Sequence, residues 1–396
     1  MVGQRHKAPF YYCIMIVLCQ ALIIAPIIVS AQPSNSVTRI DAKVAPIQAY
    51  FWTPGIEINP SADKIYIVNQ KDTDELVIYN ASDYTLTGTI PEKYYPLAIA
   101  INPKTDKVYV SHYCNCNQGK SITVIDGKSD SVIKTIEGVM HGNLFVDTLG
   151  NRIYSINGTA VSIIDGTSDD IFQIQRIEGN KDQPIGIMTF NPLTHKAYGI
   201  DQNKAIVSLD LDTYALTTTN VSLTPARYPS ATGNTVKDMV VSPISNLLYI
   251  IEEPTYECPE SCSPVGRLVT VNASSGNFVD TVQKEVGGFW KDLTIDPKTN
   301  VVYVMNGPGF VAINATSNIL IGNYYIPELT EYYPRAILVN SVTGSISILA
   351  PNGAVTIPAL ENVPEFGSYA LLSTAAGFLV VIIVLRSHAI RNPLIR

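Results

Sequence analysis

Charge is scarce in this chain. Asp, Glu, Lys and Arg make up 15% of 396 residues, against roughly a quarter in typical soluble domains. Tyr, Ser, Thr and Asn fill the gap. There is no basic excess either. The net charge is −7, and setting aside Arg5, Lys7, Glu365, Arg386, Arg391 and Arg396 near the ends leaves 22 basic and 33 acidic residues. A chain at −11 between its ends is a poor match for nucleic acid. Histidine is rarer still, with five residues in all. A metal-assisted hydrolase needs several imidazoles or carboxylates converging on one point, and this chain has few to offer. Neither a phosphate-cradling loop, nor a dinucleotide fingerprint, nor a serine–histidine–acid arrangement is present.

What is present is a clock kept by tyrosine. Tyr66, Tyr109, Tyr154, Tyr198, Tyr249 and Tyr303 each close one short pattern, as in Ile58-Asn59-Pro60…Lys64-Ile65-Tyr66 and Ile101-Asn102-Pro103…Lys107-Val108-Tyr109. A seventh copy, Val339-Asn340-Ser341…Ile346-Ser347, has lost its tyrosine. Successive anchors lie 43, 45, 44, 51, 54 and 44 residues apart. A period in the forties built of short strands is the mark of a β-propeller.

The second copy shows the unit. Residues 97–101 are an apolar run of strand length. Residues 102–106 are turn chemistry, since proline fixes φ and Asn and Asp bond their own backbone. Residues 107–111, 121–125 and 131–136 complete four strands, with the Asp126-Gly127 pair read as a hairpin turn. The first and third strands carry apolar groups on both faces, which suits sheets stacked on both sides. The expectation is an all-β, seven-bladed propeller over 37–360 with four antiparallel strands per blade. The seventh copy has room for only three strands, and the stretch 37–44 is expected to supply its fourth. The alternative is a six-bladed ring with a loose seventh segment.

The repeats at 102–136 (NPKTDKVYV…SITVIDGKSDSVIKTI) and 296–304 (DPKTNVVYV) resemble the YVTN family of β-propeller repeats. The likeness spans roughly residues 50–358, and copies three, five and seven depart from it. It implies a surface-exposed binding scaffold, often archaeal or bacterial, with no shared catalytic motif to carry over.

The two ends suggest an address. Residues 1–31 open with Arg5, His6 and Lys7, run apolar from Ala8 to Val29, and end on small residues, as a signal peptide or signal anchor does. After a linker at 361–368, residues 369–385 form an uncharged apolar segment read as a transmembrane helix. A basic tail, 386–396, follows. Positive charge on the outer flank of both segments places both termini in the cytoplasm and the propeller outside. Pro364-Glu365-Phe366 before the apolar segment resembles the PEF-type archaeal sorting signal, which implies an archaeosortase-like processing enzyme. The competing reading is a simple membrane-spanning tail.

An exterior location bears on two further readings. Asn80, Asn157, Asn220, Asn272 and Asn314 head Asn-x-Ser/Thr triplets. Glycosylation is expected at all five, and three of them, Asn80, Asn272 and Asn314, take the place of Asp126 in an outward turn, so exposure is expected there. Cys114, Cys116, Cys258 and Cys262 lie in the loops between second and third strands of blades two and five. Those blades are too far apart for a cross-link, so local disulfides Cys114–Cys116 and Cys258–Cys262 are expected. The alternative is a copper site made by His112, Cys114 and Cys116.

Propellers bind at the axial mouth, where the innermost strands begin. Aligned copies place there Trp52, Tyr94, Tyr95, His141, Gln183, Lys237, Asp238, Trp290, Lys291, Asp292, Tyr332, Tyr333 and Arg335. Aromatics beside Lys, Asp and Arg suit a glycan or a surface-protein ligand. The same residues could equally pack between blades or pair among themselves. The expectation is a surface-anchored binding or scaffolding module. The alternative is an extracytoplasmic propeller enzyme or metal-dependent redox accessory protein, lactonase-like or copper-binding, with His141, Asp238 and Asp292 as its only plausible catalytic set.

Overall fold

The computed structural model describes residues 37–39 and 55–360, less the segments 70–73, 93–94, 114–120, 140–141, 158, 178–184, 186, 202–204, 220–232, 256–266, 282–289, 331–333 and 351–352. The strands form seven sheets in chain order. Blades one to five are four-stranded antiparallel sheets, as the repeat predicts. Blade two, for example, runs Tyr95–Asn102, Lys107–Tyr113, Ser121–Asp126 and Val132–Glu137 from the axis outward.

Each blade is apolar on both faces, and the two faces serve different neighbours. In Lys64–Asn69 of blade one, Ile65 and Ile67 join a core cluster with Ala336, Leu349 and Ala354 of blade seven. Tyr66 and Val68, which alternate with them in sequence, join one with Ile99, Val108 and Val110 of blade two. Alternation of side chains along a strand does this. Seven such clusters occur, one at each junction between successive blades, including six-to-seven and seven-to-one. Seven junctions close a ring of seven and dispose of the six-bladed alternative.

The repeated tyrosines latch one blade to the next. Tyr66 donates its hydroxyl to Asp130 Oδ1 of blade two at 2.9 Å, and Lys64 reaches the other oxygen at 2.8 Å. Tyr109 and Lys107 do the same to Asp169 of blade three, at 2.7 and 2.6 Å. Burial pushes both tyrosines above the usual phenol range, and the facing carboxylates add to it, so they remain donors. Asp130 and Asp169 have φ of 55° and 59°, a left-handed backbone that Asp and Asn tolerate better than most residues. The same turn position holds Asn318 in blade six, where it accepts from Tyr249 at 3.0 Å.

The lost tyrosine of the seventh copy is made good from the other side. Blade one carries Tyr84 where blade two has Asp130, also left-handed at φ 59°. Tyr84 is buried and donates to the Val355 carbonyl of blade seven at 2.7 Å, while Thr356 donates to the Tyr84 hydroxyl at 2.9 Å. Burial raises its pKa to about 12. The tyrosine has changed blades, and the junction is kept.

One expectation about the strands needs correction. Of the stretch 37–44, the described part Val37–Arg39 does not pair with blade seven. Val37–Arg39 pairs in parallel with Ile319–Tyr325, Val37 opposite Asn323, making blade six a five-stranded sheet. Blade seven keeps three strands, Ala336–Val339, Ile346–Ala350 and Gly353–Ile357. The seven-residue outer strand of blade six offers a longer open edge than the five-residue Gly353–Ile357, and open edges attract strands. The Asp126-Gly127 pair does turn the chain between the third and fourth strands of blade two, and the glycine's part in that turn is steric. It does not supply a positive φ, which falls on Asp130 instead. A Cβ at Gly127 would stand 2.7 Å from the Asp106 carbonyl and 2.8 Å from Asn59 Nδ2. The glycine makes room for an Asn59–Asp106 hydrogen bond of 2.7 Å between blades one and two.

Among the described residues no helix is long and apolar enough to cross a membrane. The signal segment 1–31, the linker 361–368 with Pro364, Glu365 and Phe366, the apolar segment 369–385 and the tail 386–396 lie outside the described residues.

Candidate functional site on the propeller axis

The innermost strands begin with a bulge in blades two, five and six. The pairing register shifts between Pro96 and Ala98, between Val236 and Asp238, and between Trp290 and Leu293. A bulge leaves one residue unpaired and re-aims its neighbours. In blade five the register skips Lys237, which is exposed, while Asp238 turns inward.

Asp238 and Asp292 are equivalent residues of blades five and six, each four before the buried Ser242 or Asp296 that starts the first turn. Asp238 Oδ2 accepts the Leu293 N–H of blade six at 3.2 Å, and Asp292 Oδ2 accepts the Ile337 N–H of blade seven at 2.8 Å. The two carboxyls also bond each other. Burial raises both pKa values, and the charge of Asp238 raises that of Asp292 further. One proton shared at Asp292 satisfies the pair. The mouth carboxylates are therefore staples across blades five, six and seven. Asp292→Ala leaves the Ile337 amide without its partner and should lower stability by about 2–3 kcal/mol. Asp292→Asn keeps a donor toward Asp238 and an acceptor for Ile337, and should cost less than about 1 kcal/mol. Chemical denaturation of the two variants checks this.

The other mouth residues divide. Tyr95 is 45% exposed, and Arg335 is exposed next to the first residue of Ala336–Val339. Lys237 and Arg335 each precede the first turn of their blade by five residues and Tyr95 does so by seven, so all three lie before the inner half of their strands' run to that turn. Trp290 is 4% exposed and packs with Tyr249, Ile251 and Leu268 of blade five. It belongs to the core, which corrects its placement at an open mouth. Lys291 sits in the strand Trp290–Asp296. Trp52, Tyr94, His141, Gln183, Tyr332 and Tyr333 lie outside the described residues.

His112 is also committed. It is 1% exposed, with Nε2 2.7 Å from Glu92 Oε2 and Nδ1 3.3 Å from the Ser121 carbonyl. Both ring nitrogens face protein acceptors, so the copper alternative loses its imidazole. Cys114, Cys116, Cys258 and Cys262 lie outside the described residues, and no group of metal-ligating side chains occurs among the described ones.

At the opposite end of the ring, Asn80, Asn272 and Asn314 occupy the outward turns as expected, but partly buried rather than exposed. Each side-chain oxygen accepts two backbone N–H groups, those of residues 82 and 83, 274 and 275, and 316 and 317. Turn-forming Asn replaces turn-forming Asp here. Asn80 also donates Nδ2 to Asp63 at 3.0 Å. Asn157 accepts from the Thr159 and Ala160 amides, and Asn220 lies outside the described residues.

Inside the ring is a residue that the alignment of mouth positions misses. A cavity of about 380 Å³ runs between the innermost strands of blades one to five. Position by position these strands present Glu57, Ala100, Phe145, Thr189 and Val240 to it, each two residues before the first turn. Among the described residues, Glu57 is the one titratable group in the lining. It keeps partial exposure to the lumen but is surrounded by protein, and burial pushes its carboxyl up to about 7, against a small opposing pull from the Ile58 amide. The signal in the sequence is a carboxylate within an otherwise uncharged column of the repeat.

The fold recurs elsewhere. The chain is similar to Kuenenia stuttgartiensis hydrazine synthase, with a TM-score of 0.57 and 12% identity over 80% of this chain and 98% of that one. What they share is the fold. No family model matches the sequence, and no curated protein matches it.

Proposed function

We propose that this propeller is a binding or scaffolding module that takes its ligand at the axial mouth. One observation carries this reading. The repeat's lysines and carboxylates largely serve blade junctions, as Lys64 with Asp130, Lys107 with Asp169 and Asp238 with Leu293 show. Tyr95, Lys237 and Arg335 are exposed in or beside the innermost strands of blades two, five and seven. An amphipathic ring beside two cations suits a polar partner with flat or apolar faces. The resemblance to YVTN repeats and the signal-like and apolar ends support a role at the cell surface, with the propeller anchored through residues 369–385. Blade-to-blade hydrogen bonding of Asp238 and Asp292 argues against the catalytic alternative built on them.

The test is an array of surface glycans and envelope-protein peptides probed with the full-length chain and with Tyr95→Ala/Lys237→Ala/Arg335→Ala. The account expects a ligand held by the wild type and weakened at least tenfold in the triple variant, about 1.4 kcal/mol. Equal binding by both proteins removes the mouth from consideration.

A further inference from the structure

The axial cavity asks for a ligand of its own, apart from anything bound at the mouth. Its walls include Ala98, Ala100, Phe145, Met188, Phe190 and Val240, with Asn143 and Thr189 as neutral polar groups. Into this setting the repeat inserts one carboxyl, Glu57, which has no side-chain partner among the described residues. A buried carboxylate without a partner is costly. Two things relieve it, a proton or a cation. We propose that the cavity is a binding site for a small organic ammonium ion, its charged head against Glu57 and its apolar body against the walls that include Phe145, Met188 and Phe190.

The chemistry discriminates among cations. A divalent metal wants six or more oxygen ligands or a rigid set of several, and one carboxylate with one amide and one hydroxyl falls short. An ammonium head needs one carboxylate and a few acceptors, and the lining holds Glu57 with Thr189 and Asn143 among its polar groups. An aliphatic or aromatic tail then gains from the apolar walls. Phe145 and Phe190, with ring centroids 6.1 Å apart, offer aromatic surface to the cation or its tail. A volume of about 380 Å³ lies at the small end of ligand sites.

Occupation is tied to a proton. The empty site keeps Glu57 protonated over much of the neutral range, its carboxyl being pushed up to about 7 by burial. An ammonium pairs with the carboxylate, so entry releases that proton to solvent while the ligand keeps its own. Strands packed on Glu57's strand bring few competing charges. Lys64–Asn69 carries Lys64, which is held by Asp130, and Tyr66, which stays neutral. Tyr95–Asn102 carries exposed Tyr95, and Ala336–Val339 carries no titratable group, with Arg335 just outside it.

Isothermal titration of the full-length chain with phenethylamine, cyclohexylamine and butylamine tests the proposal, with phenethyl alcohol as the neutral match. At least one amine should bind about tenfold more tightly at pH 8 than at pH 6, because the competent carboxylate fraction grows by that factor about a midpoint near 7. Buffers of different ionisation heat should show a proton released at pH 6. Glu57→Gln should lose at least tenfold and the alcohol should not bind. The pH comparison needs no variant, so it stands even where a substitution perturbs folding. Absence of amine binding overturns the proposal, as does equal binding by Glu57→Gln or an affinity indifferent to pH. None of these three outcomes touches the mouth, whose array test uses different residues and ligands.

Discussion

Asp169→Ala should lower the stability of the propeller by about 3–5 kcal/mol, the usual loss when one partner of a buried, hydrogen-bonded charge pair is removed. With a Tm sensitivity of about 2 °C per kcal/mol for a domain of this size, the melting point should fall by roughly 6–10 °C. Asp169 is 5% exposed in its side chain and takes both the Tyr109 hydroxyl and the Lys107 ammonium. Its removal strands a fully buried phenol and a largely buried cation between blades two and three. Alanine also sits poorly at φ 59°. Asp169→Gly removes that second cost, so the difference between the two variants separates backbone strain from the latch. Asp130→Ala should cost about half as much, since Asp130 is 24% exposed and its bonds compete with water. A double-mutant cycle of Asp169→Ala with Tyr109→Phe should show a coupling of about 1–2 kcal/mol. A loss below about 1 kcal/mol for Asp169→Ala would mean that the latches decorate junctions already secured by apolar packing.

Glu57→Gln should have the opposite sign. The folded-state pKa of Glu57 is raised to about 7 from 4.5. The protonated form is therefore the one that folding favours. Its contribution is fully present below pH 4.5 and is lost as pH rises through about 7. Over that window the wild type should lose about 2–3 kcal/mol relative to Glu57→Gln, a shift of one unit being worth 1.36 kcal/mol. The variant should thus be close to wild type at pH 4.5 and clearly more stable at pH 8. Asp292, also raised, adds a slope of the same sign to both proteins, and the difference between them isolates Glu57. Urea titrations at pH 5 and pH 8 provide the measurement, and parallel pH profiles for the two proteins would refute the assignment.

Much of this architecture is legible in the chain because the repeat uses chemistry with few alternatives. Asn, Asp or Gly recurs at the fifth residue of most turns, and those are the places where the backbone is left-handed. The tyrosine clock marks the junctions, and even its gap at Ser347 is informative once Tyr84 is seen to stand at a turn position that blades two and three fill with Asp. Two kinds of information stay hidden. The direction of a side chain at a bulge is one, since Lys237 and Asp238 are adjacent but leave the strand on different sides of the problem, one to solvent and one to the next blade's amide. Edge pairing is the other. Val37–Arg39 reads as a strand, but the sequence does not say which open edge is longest. Glu57 was within reach of sequence reasoning, as the charged outlier in a column that also holds Ala100, Phe145, Thr189 and Val240, but only when the column is compared with the lumen in mind.

The central claim is that this ring carries a functional carboxyl on its axis, in a cavity whose protein walls hold it protonated up to about neutrality. Carbon-detected NMR of the full-length chain labelled at glutamate Cδ, with the Glu57 signal assigned by its loss in Glu57→Gln, reads this directly. A titration midpoint close to 7 is the predicted result. A midpoint near 4.5, that of an ordinary solvated glutamate, would mean that water fills the channel and that the axis offers no buried site.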